Sequence, residues 1–417
     1  MFRWTIKGVS NICEKWAREI KTSGPWLSFV TENRWKTLER PISRWLFALG
    51  ILFFGVASMY FSVTNSRWSG DVREYWASGT LLVNHVNPYD EASVFLLERQ
   101  AGQKIDRAQV MFNPPCALFF ALPLGMFSVR NAILLWTLMI LACLMLSTWA
   151  LWDLHGRRKG HLLLSIYLFA PVIACVELGQ IVALAMLGVV LFLWLQRDRP
   201  LLAGLCFVLL AVKPHLLLPF GAVVLVWAIK GERYRFMAGA VLGLAAVSGT
   251  VLFFDQKIFS QYIPVLRSAN GVSQVMPNLS SLLHWFYPQS GYIQYLPAAC
   301  AGCWAIVWYL RREKDWDWNN EGLLVIAVSV VVAPYSWVED EMLMIPAVLN
   351  GIYLCSDSGR SMKGFIVLNG AALALVLFSV RFYSPLYMWT KVAWLAWVLL
   401  VRAASRVPEA LGEEARL

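Results

Sequence analysis

Two carboxylates, Asp71 and Glu74, stand three residues apart in the stretch Gly70-Asp71-Val72-Arg73-Glu74-Tyr75-Trp76, just after a long apolar run. That spacing is close to one helical turn, so a helix here places both acids on one face. Packing a bundle does not require an acidic pair at the edge of an apolar span. Such a pair does suit a group that must take a proton from a hydroxyl at the bilayer surface, with Asp71 as general base. Further polar residues recur at the edges of later apolar runs: Asn87-Pro88-Tyr89-Asp90, Asn113-Pro114-Pro115, Gly179-Gln180, Lys213-Pro214-His215 and Pro334-Tyr335-Ser336-Trp337-Val338-Glu339-Asp340. Ionisable groups at membrane depth are costly and mark functional sites by default. The candidate substrate-binding residues are therefore Glu74, Tyr75, Asn87, Tyr89, Asn113, Gln180, Lys213, His215, Trp337, Glu339 and Asp340. Lys213 has no acid in its own turn, so it is expected to meet a lipid phosphate ahead of Glu177, Glu339 or Asp340. Plainer roles stand beside these. Asp71 can cap a helix, Tyr75 and Trp76 can anchor at the interface, and Asn87-Pro88-Tyr89-Asp90 reads first as a turn. Glu339 and Asp340 can complement a helix dipole.

The elements that hold these residues are membrane helices. The chain has 417 residues, of which 59% are hydrophobic and only 15% charged, against about 25% charged in soluble domains. Apolar blocks of roughly twelve to twenty residues alternate with short charged or Pro/Gly-rich breaks, which predicts an all-α polytopic membrane protein. We count about twelve crossings. Basic clusters at Arg157-Arg158-Lys159, Arg197–Arg199, Lys230–Arg235, Arg311–Lys314 and Arg360–Lys363 fall on the cytoplasmic side by the positive-inside rule. The breaks that carry the polar candidates then lie outside the cell, in a plasma-membrane protein with both termini cytoplasmic. The expected organisation is a basic, Trp-bearing interfacial lead over 1–44, a transmembrane domain over 45–403 and a tail over 404–417. External loops fall at 64–130 and 255–291, the first carrying juxtamembrane helices, and the apolar stretch Pro114–Ser128 is read as re-entrant or juxtamembrane. The basic lead points to an anionic leaflet and not to nucleic acid, because a span follows directly. Cys300 and Cys303 have metal or redox spacing, but they lie inside an apolar span, where small-residue helix packing is the expected role.

An enzyme on the outer face has no access to cytosolic nucleotide sugars, so an activated group must arrive in the lipid. A polyprenyl-phosphate sugar fits, with its phosphate at the interface as leaving group. The chemistry then needs a base, positive charge or helix N-termini for the phosphate, and a groove for the lipid tail. No metal or other cofactor is called for if side chains supply the charge. The partners are membrane lipids, the lipid-linked donor and a glycan or glycolipid acceptor.

Taken in order, Asp71-x-x-x-Tyr75-Trp76-Ala77, Asn87-Pro88-Tyr89-Asp90, Asn113-Pro114-Pro115, Gly179-Gln180, Lys213-Pro214 and Pro334-Tyr335-Ser336-Trp337 resemble the pattern of glycosyltransferase family 87, in the C-type (GT-C) superfamily. The resemblance implies a multi-helix GT-C fold and inverting hexose transfer from a polyprenyl-phosphate sugar. It implies an acidic base in the first external loop, which maps onto Asp71. Mycobacterial polyprenol-phosphate-mannose-dependent mannosyltransferases belong to that family. Two departures leave the sugar open: Asn113 stands where many members have Tyr, and Glu339-Asp340 follow the Ser-Trp element where some mannosyltransferases carry a histidine pair. The rival class is a transporter or flippase, which inverted repeats with matched broken helices would favour; the two halves of the chain share no such pattern.

Overall fold

The computed structural model describes residues 41–64, 70–103, 106–269, 276–287, 289–290, 292–360, 362–378 and 384–414, with side chains described from 48 to 405 save for 268–269. The chain divides into two compact units, Met1–Trp45 and Leu46–Leu417. The expected interfacial lead falls almost wholly on residues 1–40, outside the described residues.

Among the described residues the fold is all helical. In chain order the elements used below are α1 (Ala48–Thr64), α2 (Gly70–Val83), α3 (Glu91–Gln100), α4 (Pro115–Met126), α5 (Val129–Leu154), α6 (Gly160–Tyr167), α7 (Ala170–Leu178), α8 (Val182–Leu195), α9 (Pro200–Val212), α10 (Pro214–Lys230), α11 (Tyr234–Phe254), α12 (Ile258–Ala269), α13 (Leu279–Phe286), α14 (Ile293–Asp315), α15 (Trp318–Val331), α16 (Ile345–Asp357), α17 (Lys363–Leu377) and α18 (Met388–Glu414). Four described helices are long and apolar enough to cross a membrane, and six spans result if each bent pair is counted as one. The expectation of about twelve counted shorter apolar runs as crossings and set Pro114–Ser128 aside; beside the four long helices the structure has two bent pairs and five apolar helices of 10–17 residues. The stretch read as re-entrant or juxtamembrane is one of these, α4, broken into 3-10 and α pieces around Pro123.

The core is built on α8. An apolar helix with no polar face must be buried, and every residue of α8 except Leu191 and Trp194 is buried. Around Phe192, near the C-terminal end of α8, lie Phe207, Phe220, Trp227, Phe236 and Trp318, with ring centroids 4.9–5.7 Å away. Small residues set the closest helix crossings, as expected where lipid supplies no hydrophobic drive between helices. Gly204 of α9 and Gly239 of α11 touch backbone to backbone, and Gly79 of α2 does the same with Gly125 of α4. The second contact locks the helix that carries Asp71 onto the bundle. Cys300 and Cys303 are exposed and unbridged on α14, so the expected packing role fails; that face of α14 points away from the bundle.

The two bends carry the local logic of the site. Proline cannot continue a helix, and it drives the preceding residue towards extended backbone. Lys213 accordingly leaves helical geometry (φ −143°, ψ 64°) between α9 and α10, which meet at 116°. At the other junction Gly179 takes a left-handed conformation (φ 75°) to end α7. The N–H groups of Gly179 and Gln180 both bond Cys175 O at 2.9 Å, which closes the α7 C-terminus and leaves Gln180 at the head of α8.

Candidate active site

Four interruptions of helix converge on one point, and each contributes one polar side chain: Asp71 in the first turn of α2, Gln180 before α8, Lys213 between α9 and α10, and Asp340 in the 3-10 turn Glu339–Met344 that leads into α16. Gln180 Nε2 donates to Asp71 Oδ2. Lys213 Nζ donates to Gln180 Oε1 at 2.8 Å and to Asp340 Oδ1 at 2.8 Å. The Trp337 backbone N–H completes the chain by donating to Asp340 Oδ2 at 2.9 Å. Gln180, Lys213 and Asp340 are buried, while Asp71 is half-buried. The network thus runs from a buried ion pair out to a half-buried carboxylate.

Lys213 meets an acid that the sequence ranked behind a lipid phosphate. Its carboxylate partner among the described residues is Asp340, which lies 127 residues further along the chain. A buried ammonium takes whatever carboxylate the fold brings to it, and spacing along the chain does not reveal that carboxylate.

The surroundings of Asp71 are acidic and dry. Burial is the largest influence on its carboxyl and lifts it to about 6, against the Lys213 charge and the Gln180 hydrogen bond, which pull it down. Burial, with Asp71 and then Glu98 as like charges, holds Glu74 well above the ordinary carboxylate range. Glu98 is fully buried on α3, accepts the Gln109 N–H at 3.0 Å, and is pushed by burial up to about 7. Sequence reasoning missed it: its neighbours along the chain give no sign that α3 folds back on α2.

The remaining candidates divide. Asn113 Nδ2 donates to Val212 O at 2.8 Å and so fixes the backbone just before Lys213. His215 stacks on Tyr335, with centroids 3.7 Å apart. Glu339 is buried beside Asp340, with Oε2 unbonded among the described residues. Trp337 contributes its backbone N–H. Tyr75 does not offer a sugar-stacking face: it is 2% exposed and packed 5.0 Å from Trp136, because position 75 falls on the buried side of α2. Asn87 and Asp90 do what turn residues do, Asn87 accepting the Tyr89 N–H at 3.0 Å and Asp90 capping α3 through the Ser93 N–H at 2.9 Å. Tyr89 lies 5.5 Å from Tyr262 of α12, whose hydroxyl donates to Phe112 O at 2.9 Å. Tyr262 is an aromatic neighbour of the site that the sequence did not single out, and Tyr335 belongs to the Pro334–Trp337 element without having been named a binding residue. Behind the Pro334–Trp337 loop a second buried cation, Lys391 of α18, donates to Pro277 O at 2.7 Å and Ser336 O at 3.3 Å, and it stands 3.7 Å from Glu341. It looked like one more residue of an apolar span. Among the described residues no group of three His, Cys, Asp or Glu side chains is placed to hold a metal ion.

The α2, α8 and α10 helices all begin at this point, so the positive ends of their dipoles meet at the Asp71–Gln180–Lys213 cluster and favour an anionic group there. The arrangement offers a protein-held base with an anion-favouring rim. A family model described as glycosyltransferase family 87 matches residues 112–338, more than half of the chain, including Asn113, Gln180 and Lys213 but neither Asp71 nor Asp340. No curated protein and no solved structure matches the chain.

Proposed function

The chain belongs to glycosyltransferase family 87, and from that premise we propose that this membrane glycosyltransferase moves a hexose from a polyprenyl-phosphate sugar to a hydroxyl of a lipid-linked or envelope glycan. Asp71 is the general base. The acceptor hydroxyl gives its proton to the Asp71 carboxylate as its oxygen attacks the anomeric carbon. The bond from that carbon to the phosphate oxygen breaks, its electron pair leaves with the polyprenyl phosphate, and the anomeric configuration inverts.

The observation that carries this reading is the hydrogen-bonded chain Trp337 N–H, Asp340, Lys213, Gln180, Asp71. A base is effective when its orientation is fixed before the reaction, and here Gln180 fixes it. Gln180 presents its N–H to Asp71 because its own oxygen is held by Lys213, which makes Lys213 and Asp340 positioning residues. An Asp71 carboxyl near 6 suits proton abstraction around neutral pH, where the group is ionised yet more basic than an ordinary aspartate. The departing phosphate gains from the convergent helix N-termini. The acceptor side faces the extracytoplasmic space, in keeping with a donor that arrives in the membrane and with the basic clusters of the opposite loops.

The test is transfer by purified protein in lipid nanodiscs given a radiolabelled polyprenyl-phosphate hexose and membrane glycolipid extract. Label appearing in a glycolipid product of inverted configuration supports the proposal. Label that crosses the bilayer on an unmodified donor would instead make the protein a transporter.

A further inference from the structure

A cavity of about 310 Å³ opens where α1 ends and α2 and α5 begin. It is lined by Ser62 and Thr64 from the last turn of α1, by Arg73 of α2, and by Val129, Arg130 and Ile133 from the start of α5. That volume is at the lower end of small-ligand pockets, which run from about 300 to 1,000 Å³, and it holds a headgroup and not a whole lipid.

Two features of its lining favour an anion. Two guanidinium groups share it, and the guanidinium fork matches phosphate oxygens two at a time. The 26-residue α5 starts at the cavity, and its N-cap Ser128 supplies no side-chain hydrogen bond, so first-turn N–H groups and the positive dipole end add to the same field. Arg130 at that helix start is a cation at the wrong end of the dipole, and no described carboxylate pairs with it.

The place of the cavity narrows the ligand. The last turn of apolar α1 and the first turns of the α5 span line the same cavity, which puts it at the end of the apolar belt, where lipid phosphates lie. Arg73 is two residues beyond Asp71, about 200° around the helix, so the cavity lies across α2 from the Asp71 face and is a separate subsite. We propose that Arg73, Arg130 and the α5 N-terminus bind the phosphate group of a membrane lipid. The polyprenyl-phosphate source rests on the proposed function; the phospholipid source does not.

The test is native mass spectrometry of the full-length protein with four probes: polyprenyl monophosphate, phosphatidylglycerol, neutral polyprenol and inorganic phosphate. Lipid phosphates should bind well above polyprenol, and Arg73→Gln and Arg130→Gln should each weaken them about ten-fold while leaving polyprenol unchanged. Preference for polyprenyl monophosphate assigns the subsite to donor or by-product; equal binding of phosphatidylglycerol assigns it to bulk headgroups. Variants that bind lipid phosphates like wild type overturn the proposal, as does inorganic phosphate binding as tightly as the lipids. Arg130 is exposed, so Arg130→Gln carries the test if Arg73→Gln fails to fold. Binding measured in Asp71→Asn keeps the two readings apart: arginine-dependent binding there with transfer intact refutes the base and leaves the subsite standing.

Discussion

Replacing Lys213 by Met should unfold this protein more readily, and replacing Asp340 with it should restore stability. The Lys213–Asp340 pair is buried, with 10% and 1% of the two side chains exposed and 2.8 Å between Nζ and Oδ1. Lys213→Met leaves Asp340 with only the Trp337 N–H and leaves Gln180 Oε1 without a donor. Breaking one half of such a pair costs about 3–5 kcal/mol, because the other charge stays buried and uncompensated. Asp340→Leu should cost a similar amount for the mirror-image reason. The double variant removes both charges, and an apolar replacement of a buried pair is often neutral, so the two losses should not add. Tryptophan-fluorescence melting in a fixed detergent reads this out. Each single variant should melt roughly 3–6 °C lower and the double variant within about 2 °C of wild type. A Lys213→Met protein that melts like wild type and loses only donor affinity would refute the reasoning and return Lys213 to the donor phosphate.

Three further outcomes follow from the same geometry. Transfer should fall as pH drops through about 6, where Asp71 gains a proton, and should level off above pH 7; an unchanged rate down to pH 5 would exclude a base with that carboxyl value. Gly79→Ala should destabilise the protein by about 1–3 kcal/mol, since a Cβ there meets the Ala121 and Gly125 backbone, and unchanged melting would mean that α2 and α4 separate freely. In a Cys300→Ser/Cys303→Ser background, which removes the two exposed cysteines among the described residues, a cysteine at Glu91 should react with an impermeant thiol reagent outside the cell and one at Lys314 should not; the opposite pattern would invert the topology.

Much of the site was legible in the sequence. Asp71, Gln180 and Lys213 stood out because each interrupts or borders an apolar run beside a Gly or Pro, and those same residues create the helix breaks that aim them inward. The pairing between them was not legible. Lys213 finds Asp340 only through the fold, and Glu98 approaches Asp71 only because α3 doubles back. Tyr75 misled for the opposite reason: its position along the chain suits a site, but its place around α2 is core. Apolar composition does not by itself fix the number of crossings, because it marks what is buried from water without distinguishing a straight span from a pair bent at Pro214.

The central claim is that Asp71 removes the acceptor proton, and the transfer rate of Asp71→Asn measures it. Asparagine keeps an oxygen to accept the Gln180 N–H, so the network can persist. The Asp71 carboxyl is raised above its unfolded value, so its charged form is the one that costs the fold stability above pH 6; removing that charge should leave the melting temperature at pH 7.5 unchanged or higher. We predict a loss of transfer of about 10²–10⁴-fold with melting temperature retained. Transfer within a few-fold of wild type by that folded variant would contradict the account.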